Sequence, residues 1–167
     1  TPAADWNGTA DITVTVTDDG TGTLTGTETF TLTVNAINDN PVLTDIGAQS
    51  TNEDTAKVVT LSATDVENDG LTYSVSSAEL NVTATVSNDT LTLTPEADWN
   101  GTADITVTVT DGSLSDTTSF VLTITPVNDP PGIVLPDAFE FSEEGQLVID
   151  FTPYFNDIDS DTSLVLT

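Results

Sequence analysis

Asp5-Trp6-Asn7-Gly8-Thr9-Ala10-Asp11-Ile12-Thr13-Val14-Thr15-Val16-Thr17-Asp18 recurs residue for residue at Asp98–Asp111, 93 positions further on. An identity of that length is a duplication, not chance. Inside it Ile12, Val14 and Val16 alternate with Thr13, Thr15 and Thr17, the period of two that marks a strand with one dry and one wet face. Thr suits the wet face, because its β-branched side chain fits an extended backbone. The same alternation runs outward through Leu24, Phe30, Leu32 and Val34, through Leu71, Tyr73 and Val75, through Val82, Ala84 and Val86, and through Leu91 and Leu93. Asp19-Gly20, Asp69-Gly70, Asn100-Gly101 and Asp111-Gly112 supply the turns between these runs. No stretch shows helical spacing.

Weaker echoes accompany the long one. Asn38-Asp39-Asn40-Pro41 returns as Asn128-Asp129-Pro130-Pro131, Asn52-Glu53-Asp54 as Ser142-Glu143-Glu144, and Asp65-Val66-Glu67-Asn68-Asp69 as Asp157-Ile158-Asp159-Ser160-Asp161. The unit is therefore roughly 90 residues, with about seven short strands, the size and strand spacing of an immunoglobulin-like β-sandwich. The expected architecture is all-β, with tandem sandwich modules. Residues 1–40 read as the back half of one repeat, 41–130 as a complete one and 131–167 as the opening of a third.

Of the 167 residues, 28 are Asp or Glu and one, Lys57, is basic, so the formal charge is −27. Nucleic acid and anionic membrane surfaces are excluded as partners, since both demand clustered Lys and Arg. With no His and no Cys there is no Ser-His or Cys-His nucleophile pair, no disulfide, and no imidazole or thiolate for a metal. The 37% hydrophobic content is sufficient for a packed core, which argues against acidic disorder. Apolar runs are only a few residues long and the chain opens TPAADWNG, so neither a membrane span nor a signal peptide is expected within it.

Asp65, Glu67 and Asp69 crowd one loop between two hydrophobic strands, and Asp157, Asp159 and Asp161 repeat the pattern. Carboxylates that close raise one another's pKa unless a positive charge joins them. A hard divalent cation is the natural partner. Calcium fits better than magnesium, because it takes six to eight oxygens in loose geometry and accepts the amide and backbone carbonyls that the Asn-rich joints offer.

These motifs resemble those of cadherin-like domains, in particular the tandem repeats of large bacterial surface adhesins, and the resemblance runs along the whole chain. Asn38-Asp39-Asn40-Pro41 is similar to the calcium-binding linker between cadherin repeats. Asn52-Glu53-Asp54-Thr55, the Asp65-x-Glu67 pair and Thr110-Asp111-Gly112 are similar to the acidic loops that complete such a site. Pro95-Glu96-Ala97-Asp98-Trp99-Asn100-Gly101 and Val127-Asn128-Asp129-Pro130-Pro131 are typical of the bacterial repeats. There are departures: Ala36 and Pro126 stand where the animal linker has an acid, Pro130 replaces its last Asn, and Ala3 stands where the second unit has Glu96. What the resemblance implies is one or two calcium ions per joint. The first joint would draw on Asn38, Asp39 and Asn40 with Asp65, Glu67, Asp69 and Asp111. The second would draw on Glu53, Glu96 and Asp98 with Asn128, Asp129, Asp157, Asp159 and Asp161.

Other conspicuous residues read as structural. Trp6 and Trp99 could stack on sugars, but as large aromatics beside an Asn-Gly turn they suit the end of a sandwich core. The acid pairs lie on repeated turns, without the facing geometry a glycosidase needs. Thr is so abundant that four Asn-x-Thr matches carry little weight, and Lys57 reads as a surface lysine and not a crosslinking one. The expected function is a calcium-stiffened, non-catalytic spacer or adhesion module, secreted to the cell surface, whose partners are neighbouring repeats or further copies of itself. A polysaccharide-binding module and a self-assembling subunit that completes its partial modules with strands of another copy are the alternatives.

Overall fold

The computed structural model describes residues 1–159 apart from 23, 141, 142, 144, 146 and 147. It begins with a hairpin of two ten-residue strands, β1 (Gly8–Thr17) and β2 (Thr25–Val34), paired antiparallel from Gly8 opposite Val34 to Thr17 opposite Thr25. A short linker leads to β3 (Val42–Leu43), β4 (Gln49–Asn52), β5 (Lys57–Thr60), β6 (Ala63–Thr64), β7 (Thr72–Ser77), β8 (Val82–Ser87), β9 (Thr90–Pro95), β10 (Gly101–Thr110) and β11 (Ser115–Thr125). These nine make a β-sandwich. One sheet has the order β4-β11-β10-β7 and the other β5-β9-β8, while β3 and β6 form a separate two-stranded ladder. All pairings are antiparallel except β4 with β11.

The core follows from the alternation. Ala103, Ile105, Val107 and Val109 on β10 and Phe120, Leu122 and Ile124 on β11 are buried, facing Val82, Leu91 and Leu93 of the other sheet, with Leu43 and Leu61 at the flank. Their neighbours turn outward, where cross-strand hydroxyl pairs close, Thr106 with Ser119 at 2.9 Å and Thr108 with Thr117 at 3.0 Å. The β1–β2 hairpin repeats that outer pairing, Thr13 with Thr29 at 2.9 Å.

Trp99 packs against the end of the core, as a structural Trp should. Its ring lies over Gly101, where an ideal Cβ would stand 2.9 Å from the indole and where φ is +153°, so both space and backbone require glycine. Trp6 takes the same place over Gly8 in the first unit but is 43% exposed. Beyond β11, the linker reaches β12 (Gly132–Ile133), a 3-10 turn at Thr152–Tyr154, and β13 (Phe155–Asn156), which pairs with β12. That ladder reproduces the β3–β6 ladder of the sandwich. Among the described residues no helix is long and apolar enough to cross a membrane.

Candidate functional site

Each linker meets acids from loops far away in sequence, and the two meetings share one pattern. At the first joint the Asp39 amide donates to Glu67 Oε2 at 3.0 Å, and the Asn38 side chain donates to the Asp39 carbonyl at 3.3 Å and to Asp111 Oδ2 at 2.8 Å. At the second joint the Asp129 amide donates to Asp159 Oδ2 and the Asn128 side chain to the Asp129 carbonyl. The Asn side chain thus folds back on its own linker in both cases, the local bond these residues favour in turns.

Glu53 is 2% exposed, the buried charged residue of the sandwich. One carboxylate oxygen accepts from the Val127 amide and the other from the Asn100 side chain, which fixes the end of the module to the linker that follows it. Asp54 Oδ1 accepts from the Asp98 amide at 3.1 Å, with both residues held at positive φ, a conformation that Asp tolerates. Glu53, Asp129 and Asp159 each offer a carboxylate oxygen within 4.8 Å of the others, and so do Asp54, Asp98 and Asp129. Asp129 belongs to both sets.

Desolvation and carboxylate crowding show in the electrostatics. The Asp129 carboxyl is pushed above the ordinary aspartate pKa by desolvation first, then by Asp98, Asp54, Asp159 and Glu53. Asp39 is raised in the same way, by desolvation and then by Glu67, Asp5 and Asp65. Asp111 is held low by hydrogen bonds, chiefly from the Leu114 amide and then from Asn38. Two buried side-chain oxygens have no hydrogen-bond partner among the described residues, Asp65 Oδ2 at the first joint and Asp129 Oδ2 at the second. Buried polar atoms are nearly always satisfied, by protein, ordered water or a bound ion, so one such oxygen at each joint is a free acceptor in the acidic cluster.

Of the residues expected from sequence, the structure brings Asn38, Asp39, Asp65, Glu67 and Asp111 to one end of the sandwich. Glu53, Asp98, Asp129 and Asp159 gather at the other. Asp157 supports this second set, its Oδ1 accepting from the Asp159 amide. Asn128 contributes through its bond to the linker carbonyl. Glu96 turns instead to the Asn81 side chain at 2.7 Å, and Asp69 stays exposed with its amide on Asp65 Oδ1. Asn40 is exposed, and Asp161 lies outside the described residues.

Two acids stand beside these sets without having been assigned to either joint. Asp5 acts on Asp39 and, with Trp6, Asp39 and Glu67, lines a cleft of about 390 Å³. Asp54 completes the second carboxylate set. The signal for Asp5 was present, because it is the counterpart of Asp98 in the fourteen-residue duplication.

A β-sandwich with acidic loops at both ends and an Asn-Asp linker beyond each defines a β-sandwich module of the adhesion type. The cadherin-like domain model matches residues 37–125, and the chain belongs to that family. Among solved structures, a protocadherin gamma B7 EC3-6 cis-dimer is similar in fold, with a TM-score of 0.54 and 20% identity over 87% of this chain and 39% of that one. Drosophila N-cadherin EC1-4 matches at a TM-score of 0.46 and 16% identity, over 78% of this chain and 36% of that one. An endo-fucoidan hydrolase of glycoside hydrolase family 107 matches at 0.42 and 21%, over 77% and 20%. The chain spans well under half the length of each. Comparison with curated proteins returns no match.

Proposed function

We propose that the chain is a calcium-stiffened spacer or adhesion segment of a large extracellular repeat protein, one that does no chemistry of its own. The observation that carries this reading is the pair of orphan carboxylate oxygens, Asp65 Oδ2 and Asp129 Oδ2, one buried in each acidic joint of a chain whose only base is Lys57. Calcium would supply the missing positive charge and accept the oxygen-only donors present. At the first joint Asp39, Asp65, Glu67 and Asp111 would hold it, with Asp5 beside them. At the second, Glu53, Asp54, Asp98 and Asp159 surround Asp129, whose place in both carboxylate sets suits a pair of ions sharing one side chain. Without a cation these carboxylates repel across each joint and leave adjacent modules free to swing. Neutralised, they tie the loops of one module, the linker and the loops of the next into one unit.

Affinity should be weak, on the order of 0.1 to 1 mM, as is usual for extracellular modules. Calcium at about 100 times the dissociation constant would then add about 2.7 kcal/mol. Melting in calcium, against chelator at matched ionic strength, tests the reading. The expected result is a clear rise in melting temperature that magnesium reproduces poorly, and an unchanged melt refutes it.

A further inference from the structure

Asp129-Pro130 is the single Asp-Pro pair in the chain, and it stands in the second joint, just past the complete sandwich. Such a bond is chemically weak for two reasons. The aspartyl carboxylate can reach the carbonyl carbon of its own residue by closing a five-membered ring, the kind of proximity that makes intramolecular attack fast. The leaving group is the ring nitrogen of a tertiary amide, with no N–H, which becomes a basic secondary amine once freed.

The joint adds three features to that intrinsic weakness. Asp129 Oδ2 is buried and has no hydrogen-bond partner among the described residues, so no donor there blunts it as a nucleophile. The Asp129 carboxylate shares its space with Glu53 and Asp159 in one set and with Asp54 and Asp98 in the other, the oxygens of each set lying within 4.8 Å of one another. Negative charge is costly in such company, and attack moves it off the carboxylate onto the Asp129 carbonyl oxygen. That oxygen already accepts from the Asn128 side chain at 3.3 Å, a donor placed where the oxyanion forms. The first joint is the natural comparison. There the unpartnered oxygen belongs to Asp65, and Asp39 is followed by Asn40, so the same fold lacks both the poised nucleophile and the prolyl leaving group.

We propose that the second joint is a self-scission site, at which the Asp129 carboxylate cleaves the Asp129-Pro130 bond. Oδ2 bonds to the Asp129 carbonyl carbon, the C–N bond to Pro130 breaks as its nitrogen takes a proton from solvent, and a cyclic anhydride remains on Asp129. One water opens the anhydride and leaves a side-chain carboxyl and a new α-carboxyl, which release their protons. The net change is hydrolysis of one peptide bond, parting residues 1–129 from 130–167. This adds to the spacer reading one reaction, on the chain's own backbone. Calcium in the joint would occupy the same oxygens and suppress the cut; that suppression rests on the proposed calcium site, whereas the scission does not.

Mass spectrometry of the intact full chain over time, in mildly acidic buffer with chelator, tests the proposal. The two fragments should accumulate, with no cut between Asp39 and Asn40. Asp129→Ala and Pro130→Ala should each abolish the fragments, and Asn128→Ala should slow them by about tenfold. All three positions lie in the linker, so the melting transition of the sandwich serves as the folding control. A wild-type sample unfolded in urea should be cut more slowly than the folded chain, which separates the built site from the ordinary lability of Asp-Pro. A wild-type chain that stays intact in chelator, one cut no faster folded than in urea, or an Asp129→Ala chain that still yields the fragments would each overturn the proposal. Calcium should slow the cut in the wild type. Calcium that raises the melting temperature without slowing the cut overturns the suppression, and calcium that changes neither refutes the calcium site while the chelator samples still decide the scission.

Discussion

Asp65 and Glu67 show how much the joints ask of single side chains. Glu67 Oε2 receives the Asp39 amide, while Asp65 holds an oxygen with no partner and receives the Asp69 amide on the other. Changing them together to Asn and Gln keeps an oxygen on each side chain, so the backbone contacts can persist while two negative charges leave the first joint. Calcium affinity at that joint should fall by about tenfold or more, roughly 1.4 kcal/mol. The second joint, at the far end of the sandwich, should be unaffected, since sites so far apart behave independently. In chelator the variant should melt slightly higher, because the repulsion on Asp39 is relieved. Calorimetry showing unchanged affinity and stoichiometry would count against the assignment.

At the scale of the element, β1 and β10 share the same ten residues, the same partner register and different surroundings. Ile105 is fully buried between two sheets; Ile12, its twin, is 37% exposed, with no opposing sheet among the described residues. Truncation to alanine separates intrinsic strand propensity from burial, because propensity is identical at the two sites. Ile105→Ala should cost about 2–5 kcal/mol through lost transfer energy and a residual cavity. Ile12→Ala in dilute solution should shift stability by no more than about 0.5 kcal/mol. Denaturant unfolding measures both, and equal costs would mean that local strand formation, not packing, sets the stability.

Across the whole molecule a charge of −27 opposes compaction, and the joints concentrate that opposition. The raised carboxyls of Asp39 and Asp129 are protonated more readily folded than unfolded. Their contribution is fully present below the ordinary aspartate pKa of about 3.9 and is lost as pH rises through the higher folded value. Asp111 and Asp150, held low by hydrogen bonds, act in the opposite sense and lose their contribution as pH falls below that range. In chelator the melting temperature should therefore rise as pH drops from 7 toward about 4.5, and fall again in stronger acid. The increment due to calcium should shrink over the same interval, since protons compete for the same oxygens. A chelated protein that loses stability steadily from pH 7 downward would contradict this.

Much of the fold could be read from the chain, because its causes are local. Alternation of Ile and Val with Thr makes a strand with one dry face wherever it occurs. Asp5 and Asp98 adopt the same positive φ in identical turns, and both copies of the duplicated segment pair in the same register. The period of the repeat and the place of each linker follow in the same way. Which copy is buried does not, because Ile105 owes its burial to Leu91 and Leu93 on another sheet while the matching face of β1 has no such cover among the described residues. The acidic joints divide along the same line. Crowding of Asp65 and Glu67 is visible in one short loop, but the meeting of Glu53, Asp54 and Asp98 with Asp129 and Asp159 depends on segments brought together from four parts of the chain. Glu96, beside Asp98 in sequence, is drawn off to Asn81 by the β8–β9 pairing. Local chemistry in the sequence determined the strands, turns and repeat, and only tertiary structure decided burial and convergence, since both depend on contacts between residues far apart along the chain.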